Sequence, residues 1–432
     1  MKPALKWGFP FIAVLMMTAC GGSSDSNNTD DSDNTDNTSG ENSSGNTTED
    51  TSQFTSSAEW IIAPAASSET CFDFDSNGEV DCSGSEWDIK LAMGSRTPAF
   101  YTNSGESGDG SGGTLGSPFA YTWETLQAFA SGTEDNEGNA LSSYSYVTDS
   151  LDNAFANSDN SIGSAVFEYT STHKLLSNYS VFLVTADNSI SYSATDSNVY
   201  AVQITGYYGG DTGSTSGYPT LRWVNVAELT NDPDNAVVHE TTLNAASGWV
   251  YFDLVSGETV ADAASSDWQL AFYRYNVKSN SGISGSGTAG SFYAQQPAGF
   301  YDAEGAVIES AFSDADIIAA AESALTDTSG WTAWSARTAW ATDAAYSVLN
   351  PDYQGTYPDL LYYGFYAYDA TGATNGTQHI LLATPDNGVM LRSGSGNSYA
   401  RMHLTALTYA DSSDSSSQTT WTFNFDVQPA AE

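Results

Sequence analysis

Two stretches decide how this chain is read: SEWDIKLAMGSRTPAFYTNSGESGDG at residues 85–110 and SDWQLAFYRYNVKSNSGISGSG at residues 266–287. Each opens on an acid and a tryptophan (Glu86-Trp87, Asp267-Trp268), continues through a short apolar run and closes on an NSG-x-SG-x-G loop (Asn103 to Gly110, Asn280 to Gly287). The shift is 181 residues from Trp87 to Trp268 and 177 from Asn103 to Asn280, so the copies align with small loop gaps. Upstream, CFDFDSNGEV (71–80) answers YFDLVSGETV (251–260). Downstream, Thr185-Ala186-Asp187-Asn188 and VYAVQIT (199–205) answer Thr384-Pro385-Asp386-Asn387 and YARMHLT (399–405). A period this long exceeds the roughly 20–50 residues of solenoid units. It predicts two homologous β-domains in tandem, 58–232 and 233–432.

Ahead of them, residues 1–20 carry Lys2 and Lys6, the apolar run GFPFIAVLMM and Met17-Thr18-Ala19-Cys20. A basic start, a short apolar stretch and small residues before a cut site read as a secretory signal. The stop at Cys is similar to the bacterial lipoprotein signal, which implies acylation of Cys20, anchoring by lipid and, by analogy with lipoprotein sorting, a place at the outer membrane. Residues 21–57 are Ser, Asn, Thr, Asp and Gly with almost nothing apolar. Such a segment cannot bury enough surface to offset chain entropy and is expected to be a disordered tether.

The formal charge is −42, from 53 acidic against 11 basic residues, which argues against nucleic acid as a partner. Cys71 and Cys82 flank Ser76-Asn77-Gly78, a hairpin signal, and predict a cross-strand disulfide. The same hairpin carries Asp73, Asp75, Asn77, Gly78 and Asp81 in the spacing of many calcium loops, although position twelve is Gly84 and the second copy has Val255 opposite Asp75. It is a calcium candidate set against a plain acidic hairpin.

Short segments rich in Val, Ile, Tyr, Phe and Trp, bounded by Gly, Asn, Ser or Asp, predict antiparallel strands at 180–185, 199–208, 248–254, 268–277, 378–384, 399–409 and 420–427. Helices are expected at 313–325, with a Ser cap, and at 121–130. The class is all-β, mostly antiparallel, with a few short helices. A P-loop, an H-E-x-x-H and a nucleophile elbow are missing from the sequence. The four histidines, His173, His239, His379 and His403, find no partner between the aligned repeats, His403 facing Gln203 and His173 facing nothing. A duplicated His-based catalytic site is thereby excluded, and the chain is expected to bind rather than catalyse.

The run WVYFDLVSGETV (249–260) with the 266–287 stretch, then ILLATPDNGVMLRSGSGNSYARMHLTAL (380–407) and WTFNFDVQP (421–429), resembles the HmuY-like haem-binding lipoproteins. FEYTSTHKLLSNYSVFLVTAD (167–187) extends the resemblance to the first copy. It implies an all-β surface protein that captures haem and passes it to a TonB-dependent outer-membrane receptor. Axial ligands of the His or Met type then come from His379, His403, His173 or Met390, and Arg392 and Arg401 are candidates for the propionates. Alternation along 399–405 puts Met402 with the apolar residues and Arg401 with His403. A second reading is a non-haem module for glycans or proteins, using aromatics such as Trp331, Trp334, Trp340 and the Tyr362 to Tyr366 cluster, set against a place for the same residues in the core of the β-domains.

Overall fold

The computed structural model describes residues 52–431 apart from 95–96, 117, 158–159 and 332–339. The signal with Cys20, most of the tether and Trp334 lie outside the described residues. The tether's expected end at 57 is too late: Phe54 lies 4.0 Å under the Arg401 guanidinium, the Gln53 N–H donates to the Ala130 carbonyl, and strand Ser56–Ile62 has begun.

Strand alternation builds the sheets as the composition demands. In Thr419–Gln428, Trp421, Phe423, Phe425 and Val427 are buried while Thr422, Asn424 and Asp426 face away from the core, the period of two of a pleated strand. The strands pair antiparallel throughout, with α-helices limited to Trp123–Gln127, Val226–Asn231 and Ala315–Ser323 among the described residues, beside three short 3-10 turns. The last is capped by Asp314 rather than Ser313, its carboxylate accepting from the Asp316 and Ile317 N–H groups. The expected strand 268–277 is two strands, Leu270–Tyr273 and Asn276–Ser279, reversed by a tight turn in which Arg274 has φ 54°.

The repeats do not close on themselves. One sheet runs Ser56–Ile62, Thr419–Gln428, Tyr399–Tyr409, Gly388–Arg392, Gly113–Leu115 and Tyr146–Val147, so the first half of repeat one pairs with the second half of repeat two. The other runs His239–Thr242, Thr215–Asn225, Val199–Gly209, Val181–Thr185 and Gly290–Gln295, joining the remaining halves across the expected boundary at 232/233. The sequential division is therefore replaced by an outer lobe, 52–149 with 347–431, and an inner lobe, 153–343, set within it. The cores agree with this division. Trp60, Phe72, Ile89 and Phe100 pack with Val389, Met402, Trp421 and Phe423, whereas Phe182, Val202 and Leu221 pack with Phe252, Leu270 and Phe272.

The chain passes between lobes twice, and the two passages pair with each other: Ser150 opposite Tyr346, Leu151 opposite Ala345, Asp152 opposite Ala344. Here the doubled NSG loops find their purpose. Asp149, at the first passage, accepts from the Thr102 N–H at 2.9 Å and from the Thr102 hydroxyl at 3.2 Å, while its own N–H donates to Ser104 Oγ. Asp343, at the second, accepts from the Ser279 N–H at 3.0 Å and from the Ser279 hydroxyl at 2.5 Å, while its N–H donates to Ser281 Oγ. Both carboxylates are buried. Burial pushes the Asp149 carboxyl up to about 6 against the pull of hydrogen bonds from Ser347 and Thr102, and raises Asp343 likewise. Asn103 and Asn280 hold the loops. Each side-chain amide donates to the carbonyl of its tryptophan (Trp87, Trp268) and each Oδ1 accepts from a loop glycine N–H (Gly110, Gly287) at 2.9 Å.

The disulfide Cys71–Cys82 forms as the hairpin predicts, with the Cα atoms 5.3 Å apart. Tyr251 replaces Cys71 in the inner lobe and packs on Trp268 at 4.9 Å.

Two outcomes follow from the nested pairing. A protease site introduced into the exposed 233–235 turn and cut in the native protein leaves two fragments that co-elute on gel filtration and part only in denaturant; separation without denaturant would mean that each repeat closes on itself. Gly282 has φ 55° and a Cβ there would lie 1.8 Å from the Asp343 carbonyl oxygen, so Gly282→Ala costs about 1–3 kcal/mol in denaturant titration. Gly248→Ala, with nothing within 4 Å of its Cβ, serves as the neutral control.

Candidate functional site

The structural equivalence of the halves corrects the alignment that left the histidines unmatched. Leu391 pairs with Thr114 and Arg392 with Gly113 in the outer lobe, and Val184 pairs with Ser291 and Thr185 with Gly290 in the inner lobe. Val181–Thr185 therefore occupies the place of Gly388–Arg392, and the similar tetrapeptides at 185–188 and 384–387 are not equivalent. That register, a shift of 207, brings His173 within one residue of His379, and the hairpin pairing of Leu175 and Leu381, a shift of 206, sets the two histidines opposite each other.

Each histidine ends the loop of a hairpin leaning on the long strands. In the outer lobe Tyr366–Asp369 pairs with Ile380–Ala383, Tyr368 opposite Leu381; in the inner lobe Phe167–Tyr169 pairs with Leu175–Ser177, Tyr169 opposite Leu175. The Tyr368 hydroxyl lies 2.6 Å from His379 Nδ1, and the Tyr169 hydroxyl lies 3.1 Å from His173 Nδ1. With the imidazole in its Nε2–H tautomer, the hydroxyl is the donor. Both histidines are left-handed, φ 63° and 61°. Both hairpins are pinned alike: the Leu381 N–H donates to the Tyr409 hydroxyl at 2.6 Å and the Leu175 N–H to the Tyr208 hydroxyl at 3.0 Å. The sequence held the signal in His-x-Leu-Leu at 173–176 and 379–382. The tyrosines lie four and eleven residues ahead of their histidines, so no common spacing marks them in the sequence.

Around Tyr368 the surface is tyrosine-rich. The Tyr363 ring stands 5.9 Å from Tyr353 and is stacked at 5.2 Å on Tyr366. Burial raises the Tyr363 hydroxyl, with smaller contributions from the neighbouring Tyr353 and Tyr368. Tyr353, Tyr357 and Tyr362 are exposed. The loop before His379 is organised by Asp369, whose carboxylate accepts from the Thr371, Gly372, Ala373 and Thr374 N–H groups.

The other expected ligands are placed differently. Met390 is buried with Leu115, Leu126 and Phe129, while Met402 lies in the main core, as the alternation along 399–405 expects. His403 stacks on Trp123 at 3.7 Å and its Nδ1 meets the Pro385 carbonyl at 3.0 Å. His239 stacks on Trp223 at 5.1 Å, away from either tyrosine pair in its sheet. Arg401 is buried, ion-paired to Asp426 at 3.1 Å and donating to the Leu126 carbonyl; Arg392 donates to the Gly112 carbonyl and lies over Tyr146. Both guanidiniums are engaged inside the fold, which does not suit them to propionates. Trp331 and Trp340 are buried as well. Two clefts of about 300 and 310 Å3, one lined by Asp152, Asn153, Tyr293 and Ala341, the other by Cys82, Gly105, Glu106 and Asp109, contain no His or Met.

At the acidic hairpin, the calcium-loop set does not converge as expected. Asn77 Oδ1 accepts from the Glu59 N–H and Asp81 Oδ1 from the Ser83 N–H. The carboxylates that approach one another are Asp73, Asp75 and Asp88, within 4.8 Å. Asp88 is buried, accepting from the Gly394 and Phe74 N–H groups, and Gln269 makes the second of these bonds, to Leu254, in the inner lobe.

The described residues thus form an antiparallel all-β fold that presents a hydrogen-bonded Tyr–His pair on a hairpin in each lobe. Residues 245–424 match the family model described as HmuY protein, and over that segment the chain is HmuY-like. The matched segment spans the second repeat and contains Tyr368 and His379. No curated protein matches the chain.

Burial pushes the Asp88 carboxyl up to about 8, the Gly394 and Phe74 N–H groups opposing the rise and the charges of Asp73 and Asp75 adding to it. In the unfolded chain it titrates near 3.9. Between about pH 4 and 8 the native state therefore holds a proton that the unfolded state has lost, and stability falls as pH rises through that window. Melting temperature measured from pH 5 to 9 is expected to fall more steeply in the wild type than in Asp88→Asn; equal slopes would contradict this.

Proposed function

We propose that the protein binds haem at the cell surface through the Tyr368–His379 pair, without catalysing a reaction on it. The observation that carries this is the 2.6 Å hydrogen bond between them inside the HmuY-matched segment. Haem supplies, when bound, a ferric iron that favours an anionic oxygen or imidazole donor. The donor set fits it. The Tyr368 phenol can pass its proton to His379 Nδ1, leaving an anionic oxygen to bind iron, and the half-buried Tyr363 with the exposed Tyr353 offers a face for a flat apolar ring. The left-handed backbone at His379 and the Tyr409 hydroxyl hold the imidazole at the end of the hairpin. Calcium plays no part in this reading.

Acylation of Cys20, anchoring in the outer membrane and transfer to a TonB-dependent receptor belong to the same proposal. They are supported by the lipoprotein-like start of the chain and by the family. The exposed Tyr353, Tyr357 and Tyr362 favour the second reading, a stacking surface for glycans, in which haem leaves no mark.

Titration with ferric haem, followed at the Soret band, tests it. Tyr368→Phe is expected to lower uptake by one equivalent and His379→Ala to weaken that equivalent by about 10–100-fold, the usual effect of removing a partner that orients an iron ligand. An unchanged spectrum at micromolar haem would overturn the proposal.

A further inference from the structure

We infer that the inner lobe carries a second, separate site for a ferric porphyrin, formed by Tyr169 and His173 with Lys174 for a carboxylate of the ligand. It rests on the reading of Tyr368 and His379 given above, and it lies outside the family-matched segment.

The inference stands on what the two hairpins keep and what they change. The loop between tyrosine and histidine has three residues in the inner lobe and ten in the outer lobe, and its sequences are unrelated, TST against DATGATNGTQ. Yet the hydroxyl-to-Nδ1 hydrogen bond is present in both, at 3.1 and 2.6 Å. Both histidines take the left-handed conformation, φ 61° and 63°, which is uncommon for a residue with a side chain. Both are followed by a leucine whose N–H is held by a tyrosine from the long strands. A histidine decorating a surface loop has no reason to keep its conformation and its partner when the loop lengthens more than threefold. A shared ligand chemistry supplies one.

The inner loop is also fastened to its lobe. Glu309 accepts from the Ser171 N–H at 2.6 Å and from the Ser171 hydroxyl at 2.5 Å, which fixes the tip two residues from His173. Where the outer lobe has the buried Ile380, the inner lobe has the exposed Lys174, which makes no ion pair among the described residues. In a chain of net charge −42, an unengaged cation beside a metal-ligating pair suits an anionic substituent. The inner pair is the more open of the two, Tyr169 being 49% exposed, and its hydrogen bond is longer. It is therefore the weaker site.

The test is the stoichiometry of ferric haem on the full chain. The wild type is expected to take up two equivalents, the second more weakly. Tyr169→Phe with His173→Ala leaves one equivalent and an unchanged melting temperature; Tyr368→Phe with His379→Ala leaves the other. Lys174→Glu weakens the inner equivalent by about two- to fivefold, the range of an exposed ion pair. A single equivalent that survives in the inner-lobe double variant and is lost in the outer-lobe one would overturn the second site while leaving the first reading intact. A single equivalent with the opposite dependence would support the inner site and overturn the outer one. No uptake at all would overturn both.

Discussion

The burial of Asp149 and Asp343 where the chain changes lobes is the constraint on which the rest of the structure depends. Each carboxylate leaves water for a site where the backbone N–H and hydroxyl of the residue just ahead of an NSG loop, Thr102 or Ser279, await it. A buried carboxylate is costly without such donors. The loops are in turn held by Asn103 and Asn280 against the tryptophan strands. Because the two passages lie antiparallel to each other, each lobe is closed by strands that arrive from the other half of the sequence. The repeated loop is thus a joint rather than a ligand site.

The exchange of halves has a consequence for the family match. Residues 245–424 are contiguous in the chain, but their first part pairs with repeat one and only their second part enters the outer lobe. The Tyr–His pair is insulated from that exchange. Tyrosine, histidine and pinning hydroxyl all come from one half, on a hairpin beside its own long strands, so each lobe receives a complete pair. The same local unit is presented twice, once with Lys174 and a short loop, once with a tyrosine wall and a long one.

The disulfide, the hairpins and the strand class were legible because they depend on residues close in sequence. Cys71 and Cys82 are bridged by the turn between them, and alternation in 419–428 names its buried face without help. Met390, Arg392 and Arg401 illustrate the opposite case. Alternation shows which residues share a face, but the outer sheet's second face is itself covered around Met390 and Arg401, so these candidate ligands are packed or ion-paired. The histidines were misjudged through register. Similar tetrapeptides at 185–188 and 384–387 suggested one alignment, whereas strand pairing imposed another, and a shift of a few residues separated His173 from His379.

By itself the sequence determined the all-β class, the repeat and the hairpin with its disulfide, all local patterns of period, turn chemistry and spacing. Tertiary structure alone decided which halves close together, where the tyrosine partners stand and which polar residues are engaged. Two homologous halves offer nearly identical edges to either partner, so their own strand patterns do not choose between closing and exchanging. The choice is made where the chain crosses, by buried aspartates and glycines that admit one path for the backbone.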